Sequence, residues 1–136
     1  MALHFENNSV EVKEALDQAC VGWLYEAAGE LESQTKRNTP VDSGQLKSSW
    51  DYDIDEYTQK AVIGSPLQNA IWNEFGTGQY ALNSDGRKTP WKYQDRKGQW
   101  HTTTGKRPRR SLEKAFNSLK TKLQQALEDK LKGLGK

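Results

Sequence analysis

From Asn8 to Asn38 the apolar residues Val12, Leu16, Ala19, Cys20, Trp23, Leu24, Ala27 and Leu31 recur at steps of three and four, the period of one face of an α-helix. The ends of the segment agree with that reading. Asn8 and Glu11 have capping-box spacing. Glu11, Glu14 and Asp17 suit the positive end of the helix dipole, as Lys36 and Arg37 suit the other. Pro40 disfavours helical geometry at Thr39 and helps to end the helix. A second stripe, Leu112, Ala115, Phe116, Leu119, Leu123, Ala126, Leu127 and Leu131, predicts another long helix that fades at Gly133 and Gly135, with lysines on its other face.

The segments between are shorter. Thr39 to Gly44 reads as a turn, in which Asp42, three residues before Gln45, caps a short helix through Leu46 to Ser48. Trp50-Asp51-Tyr52-Asp53-Ile54-Asp55 alternates strictly. That puts Trp50, Tyr52 and Ile54 on one face of a half-buried strand and three aspartates on the other. Thr58 to Gly64 is its antiparallel partner. Ser65-Pro66-Leu67-Gln68 has an N-cap serine and a proline at the first helical position. It opens a helix to about Phe75, stopped at Gly76. Gly78 to Pro108 is long and polar but carries Trp91, Tyr93 and Trp100. Asp95-Arg96-Lys97-Gly98 is the turn of a hairpin joining Trp91–Gln94 to Gln99–Thr103, within an arm at residues 79–106. No internal repeat and no second core is visible. The expected fold is a single α+β domain over residues 1–136: two long amphipathic helices packed on a small antiparallel β-sheet, with a projecting loop or hairpin arm.

The core of such a domain is thin. The hydrophobic fraction is 34%, and 11 glycines raise it only into the low forties, where about 45–50% is usual. Either part of the chain is extended and solvated, or neighbouring subunits complete the core. No apolar run of about 18 residues occurs, so no membrane partner is expected. Met1–Glu6 shows no basic region followed by an apolar stretch, so no secretory signal is expected. Cys20 is alone and suits a reducing cytosol. Two histidines and one cysteine do not supply the usual zinc sites, and no cofactor or metal is expected.

The net charge of +2 conceals a polarity. Residues 1–85 hold 5 basic and 14 acidic side chains, or −9, whereas residues 86–136 hold 15 basic and 4 acidic ones, or +11. Three arrangements satisfy such a pattern: the halves attract within one molecule, an acidic face docks on a neighbour's basic face, or the basic half meets a polyanion. A dedicated nucleic-acid binder usually has a higher pI than the 8.6 of this chain.

Candidate chemistry is sparse. Cys20 and His101 offer a thiol–imidazole pairing, yet Cys20 sits on an apolar stripe, where inert thiols are commonplace. Asp51, Asp53 and Asp55 share a strand face that could attract a divalent cation, but a solvated outer face is the simpler account. Gly76-Thr77-Gly78 lacks the ending of a phosphate loop. Arg107, Arg109 and Arg110 around Pro108 form a basic cluster that, beside Trp91 and Trp100, would suit phosphates and stacked bases, or else an inter-subunit salt-bridge patch.

Three segments together resemble a known family. Thr39-Pro40-Val41-Asp42-Ser43-Gly44-Gln45-Leu46-Lys47-Ser48-Ser49, then Ala61–Pro66 leading into Ala70-Ile71-Trp72-Asn73-Glu74-Phe75-Gly76-Thr77-Gly78, and finally Arg107-Pro108-Arg109-Arg110-Ser111-Leu112-Glu113-Lys114-Ala115-Phe116 resemble, in order and spacing, the head–tail joining proteins of tailed bacteriophages, also labelled tail-component, neck or tail-completion proteins. Ser111 departs from the pattern, standing where the family tends to have an aromatic. The resemblance implies a non-enzymatic structural protein of the virion neck or upper tail, made in the bacterial host cytoplasm and forming or docking on an oligomeric ring. Its implied partners are copies of itself, connector or head-closure proteins, and tail-tube or tail-terminator proteins. The residues carried over as structural are Pro40, Asp42, Gly44, Gly64, Glu74, Phe75, Gly76, Gly78 and Pro108, with Glu74 expected to bond backbone amides or a neighbouring subunit. The alternative is a nucleic-acid-binding module using the basic C-terminal half. The two overlap if DNA passes through a neck channel and is contacted without sequence specificity.

Overall fold

The computed structural model describes residues 7, 9–41, 44–82, 86–95 and 97–135. Asn8, Asp42 and Arg96, to which the sequence gives capping and turn roles, lie outside the described residues. Helix α1 spans Ser9–Asn38 and helix α4 spans Ser111–Gly133. They run antiparallel: Asn38 Nδ2 donates to the Ser111 carbonyl at 3.2 Å, and the Trp23 indole N–H to the Leu123 carbonyl at 2.7 Å. Lys122 faces Glu30 at 3.3 Å and Lys130 faces Glu26 at 3.1 Å. Part of the charge polarity is therefore answered inside the molecule.

Between the long helices come α2 (Gln45–Ser49), β1 (Asp51–Asp55), β2 (Lys60–Gly64), α3 (Gln68–Phe75), a 3-10 turn at Gly78–Tyr80, β3 (Trp91–Gln94) and β4 (Trp100–Thr103). The fold is α+β as expected. Its sheet is two separate antiparallel pairs, β1–β2 and β3–β4. In the first, Asp51 lies opposite Gly64, Asp53 opposite Val62 and Asp55 opposite Lys60. Tyr52, Ile54, Ala61 and Ile63 turn inward toward α1, which is the hub of the fold, while α4 packs on α1 and on α3. Asp55 closes the β1–β2 turn by accepting from the backbone N–H groups of Tyr57 at 3.0 Å and Thr58 at 3.2 Å. Those bonds hold its carboxyl below the usual carboxylate range, the Thr58 amide contributing most.

Helix α2 starts just after Gly44, its N-cap, which brings no side-chain cap bond. Two local expectations are corrected. The N-cap of α3 is Leu67 rather than Ser65: the Ser65 hydroxyl accepts from the Leu67 amide at 3.2 Å and shares a 2.6 Å bond with Ser49. Proline at position 66 therefore sits before the helix, inside a serine turn. Finally, the stripe of α1 is not covered along its length. Ala27, Ala28 and Thr35 are buried, yet Val12 and Leu16 are exposed. Helix α4 has 23 residues against 30 in α1, and near its end the long Lys130 side chain reaches Gly22, so the first turns of α1 extend beyond their partner.

Candidate functional site

A network of long-range hydrogen bonds forms where α3 meets the start of α4 and the base of the arm. The first amides of any α-helix lack intrahelical partners. The N-cap of α4, Arg110, lies in the left-handed region (φ 54°) and offers no side-chain cap. Glu74 on α3 fills that role from a distance in sequence: its Oε1 accepts from the Leu112 amide at 2.6 Å and its Oε2 from the Glu113 amide at 3.4 Å. A carboxylate here also meets the positive end of the α4 dipole. Between the two expectations for Glu74, the backbone amides are its observed partners. Glu74→Ala is expected to lower stability by about 1–2 kcal/mol in urea denaturation, and Glu74→Gln by less, since one acceptor remains.

Beneath Glu74 lies a buried polar knot that sequence reasoning missed. Asn73 and Ser111 are both 0% exposed. Asn73 Nδ2 donates to the Ser111 hydroxyl at 2.8 Å, that hydroxyl donates to the Asn38 carbonyl at 3.3 Å, and the Asn73 carbonyl accepts from Arg109 N at 2.6 Å and Arg110 N at 3.1 Å. Three elements, α1, α3 and α4, are tied at one point. The space around Ser111 is held by amide and hydroxyl groups. Ala70 and Asn73 share one α3 face and both are buried, but nothing local in the sequence marks that face as the inner one.

The arm is anchored beside this knot. The Thr77 amide donates to the Lys106 carbonyl at 2.8 Å, Gln79 N to the Thr104 carbonyl at 3.0 Å, and Lys106 N to the Thr77 hydroxyl at 2.8 Å. Gly76 and Gly78 have φ of 76° and 61°. Against Gly76 a side chain would meet the Lys106 and Tyr80 carbonyls and Pro108 Cδ within 2.8–2.9 Å. The second and third family-like segments thus touch. Gly44 also has a positive φ (80°), whereas Gly64 has neither that need nor any crowding, and nothing in the structure explains a glycine there. Pro40 is exposed just beyond Thr39, whose hydroxyl donates to the Thr35 carbonyl at 2.6 Å and accepts from the Trp50 indole at 2.8 Å.

The arginines do not form one grip. Arg107 lies over the Tyr80 ring at 4.5 Å, Arg110 pairs with Glu113, and Arg109 is exposed. In the hairpin, Asp95 Oδ1 accepts from Lys97 N and Gln99 N, each at 2.9 Å, and Oδ2 meets His101 Nε2 at 2.7 Å. His101 first, then the Gln99 amide, hold the Asp95 carboxyl below the ordinary range. A lowered carboxyl favours the folded turn above the unfolded value, about 3.9, and that contribution disappears as pH falls through the folded value. Amide signals of Gln99 and Gly98 are therefore expected to hold their turn positions at pH 5 and above and to collapse toward unfolded ones in strong acid. Unchanged signals down to pH 2 would contradict the assignment.

Helix α3 is turned inside out. Its buried residues are Ala70 and Asn73, while Ile71, Trp72 and Phe75 are 53%, 47% and 50% exposed. The outward face borders three depressions. A 630 Å³ cleft is shared with Trp91, Tyr93, Arg87 and Lys106, a 280 Å³ one with Ala81 and Gly86, and a 370 Å³ one with Leu31, Ile63, Leu112 and Phe116. Among the described residues, no group of three or more His, Cys, Asp or Glu side chains is placed to share a metal ion, and no helix is long and apolar enough to cross a membrane.

A family model, HK97-gp10-like, with the description "Bacteriophage HK97-gp10, putative tail-component", matches residues 4–76, more than half of the chain. The chain belongs to this family. No curated protein and no solved structure matches it. The HK97-gp10-like region runs from α1 through Glu74 to Gly76, so it contains the α3 side of the knot. The arm and α4 lie beyond it. As a phage tail component, the protein is a structural part of the virion.

Proposed function

We propose that this tail component forms, or docks on, an oligomeric ring at the neck or upper tail, joining head connector to tail and performing no reaction of its own. The observation that carries the reading is the outward face of α3, where Ile71, Trp72 and Phe75 stand in solvent while a polar asparagine is buried. Contiguous exposed apolar surface of this kind marks protein–protein contact. Connector or head-closure and tail-tube or tail-terminator proteins are the proposed neighbours.

Light scattering at low and high salt tests the reading. A multimer, or a complex with the connector or tail proteins, is expected, and Trp72→Ser/Phe75→Ser is expected to weaken it. A strict monomer at every concentration that also ignores those proteins would overturn it. A second reading, contact with channel DNA through the basic half, is favoured by the arm, where Lys92, Lys97, Tyr93 and Trp100 are all exposed. Counterion release then predicts a steep fall of DNA affinity with salt, flattened when Arg107, Arg109 and Arg110 are neutralised.

A further inference from the structure

Among the described residues, the outer faces of the two strand pairs are uncovered, and they are opposite in character. The outer face of β1–β2 presents Asp51, Asp53 and Asp55 with Val62 and Lys60, all exposed. Val62, 62% exposed, lies directly opposite Asp53, and Tyr57 at the turn is 96% exposed. Asp53 enters no hydrogen bond or ion pair among the described residues. The outer face of the β3–β4 hairpin presents Lys92, Gln94, Trp100 and Thr102, again all exposed. Trp100 is 66% exposed, and neither its indole N–H nor the Lys92 ammonium has a partner among the described residues. A two-stranded hairpin is marginal in water unless something packs on it.

We infer that the hairpin arm of one copy lies on the β1–β2 sheet of the next, Trp100 covering Val62 and Tyr57 while Lys92 and the indole N–H meet Asp51 and Asp53. The occupant is a second copy of this chain, and the inference rests on the self-associating form of the function proposed above. Charge argues for it. The sheet face and its turn carry Asp51, Asp53, Asp55 and Glu56 against Lys60, whereas residues 86–102 carry Arg87, Lys88, Lys92, Arg96 and Lys97 against Asp95. Stacked sheet faces sit about 10 Å apart, a gap that one indole and its aliphatic neighbours fill. Because the two faces are different surfaces, the contact is head-to-tail: in a pair, one copy keeps its sheet face free and the other its arm, each for a further neighbour. The Tyr93–His101 stack, with ring centroids 5.3 Å apart, occupies the opposite hairpin face and stays out of the contact.

Complementation tests this. One variant, Asp51→Lys/Asp53→Lys, disables the sheet face, and another, Lys92→Glu/Trp100→Ala, disables the arm. Each is expected to self-associate at least 10-fold more weakly than wild type in sedimentation velocity, with an unchanged far-ultraviolet melt. Mixed one to one, they retain one good arm and one good sheet, so a discrete heterodimer that cannot grow is expected. The isosteric Asp51→Asn/Asp53→Asn guards against misfolding and is expected to weaken association in the same direction. If both variants assemble like wild type, the inference is overturned while the ring reading survives. If the wild-type chain assembles only on connector or tail proteins, the inference also falls. If the arm variant loses only affinity for a double-stranded DNA fragment, the arm is a DNA surface and the inference is overturned.

Discussion

Replacing Asn73 by alanine is expected to lower the stability of this protein by about 2–4 kcal/mol, or about 10 °C in melting temperature for a chain of this length. Asn73 is fully buried, and its side-chain amide holds the Ser111 hydroxyl at 2.8 Å. Deleting it leaves that hydroxyl one partner short in a place water does not reach, and leaves a void besides. The loss is not confined to α3, because Ser111 also bonds to Asn38 at the end of α1. Asn73 Oδ1 is itself buried without a partner among the described residues, so the native knot already holds one unanswered acceptor. Part of the amide's benefit is offset by it, which keeps the estimate below the extreme range. Ser111→Ala removes the same bond from the other side. The pair should therefore be less than additive in a double-mutant cycle, with a coupling of about 1–2 kcal/mol. A loss under 1 kcal/mol, or full additivity, would show that the knot does not join the helices. The melts belong at one fixed protein concentration, since association would shift them.

The knot also shows what the sequence made legible and what it did not. The alternation of Tyr52 and Ile54 with three aspartates reads directly as a strand with an inner and an outer face, and the structure has it so. The hairpin around Asp95 is equally local, since one carboxylate gathers its own turn amides. The stripes of both long helices follow from periodicity, yet which end of α1 is left bare depends on where α4 stops, and no local pattern encodes that. Ser65 shows the same limit at small scale. It has the chemistry of an N-cap but bonds Leu67 and Ser49, because the chain turns before the helix begins. Glu74, Asn73 and Ser111 meet across a separation of nearly forty residues, so their partnership is tertiary. In α3 the sequence shows apolar residues without saying which side faces out. The burial of Asn73 decides it, and that decision leaves Trp72 and Phe75 exposed.

Gly78→Ala is expected to open the base of the arm, at a local cost of about 3 kcal/mol or more. Two effects combine. Gly78 has φ of 61°, which alanine adopts only with strain. A Cβ there would also be driven into the Thr104 carbonyl, and would stand 2.8 Å from Gly105 Cα and from Trp91 Cη2. Two of those three obstacles are backbone and cannot swing aside. The cheapest relief is to part the 77–79 and 104–106 segments, breaking the Thr77–Lys106 and Gln79–Thr104 bonds. The α1–α4 pair does not pass through that junction, so its far-ultraviolet melt should change little. Limited proteolysis within residues 79–106 should accelerate by 10-fold or more, and amide exchange at Thr77 and Gln79 with it. Gly64→Ala is the control, because Gly64 has open space and ordinary backbone geometry; a change within about 0.5 kcal/mol is expected there. Equal behaviour of the two variants would mean that the glycine at 78 is no more constrained than the one at 64. The arm would then be tethered by its ends alone and would not be aimed by its base at a neighbouring subunit.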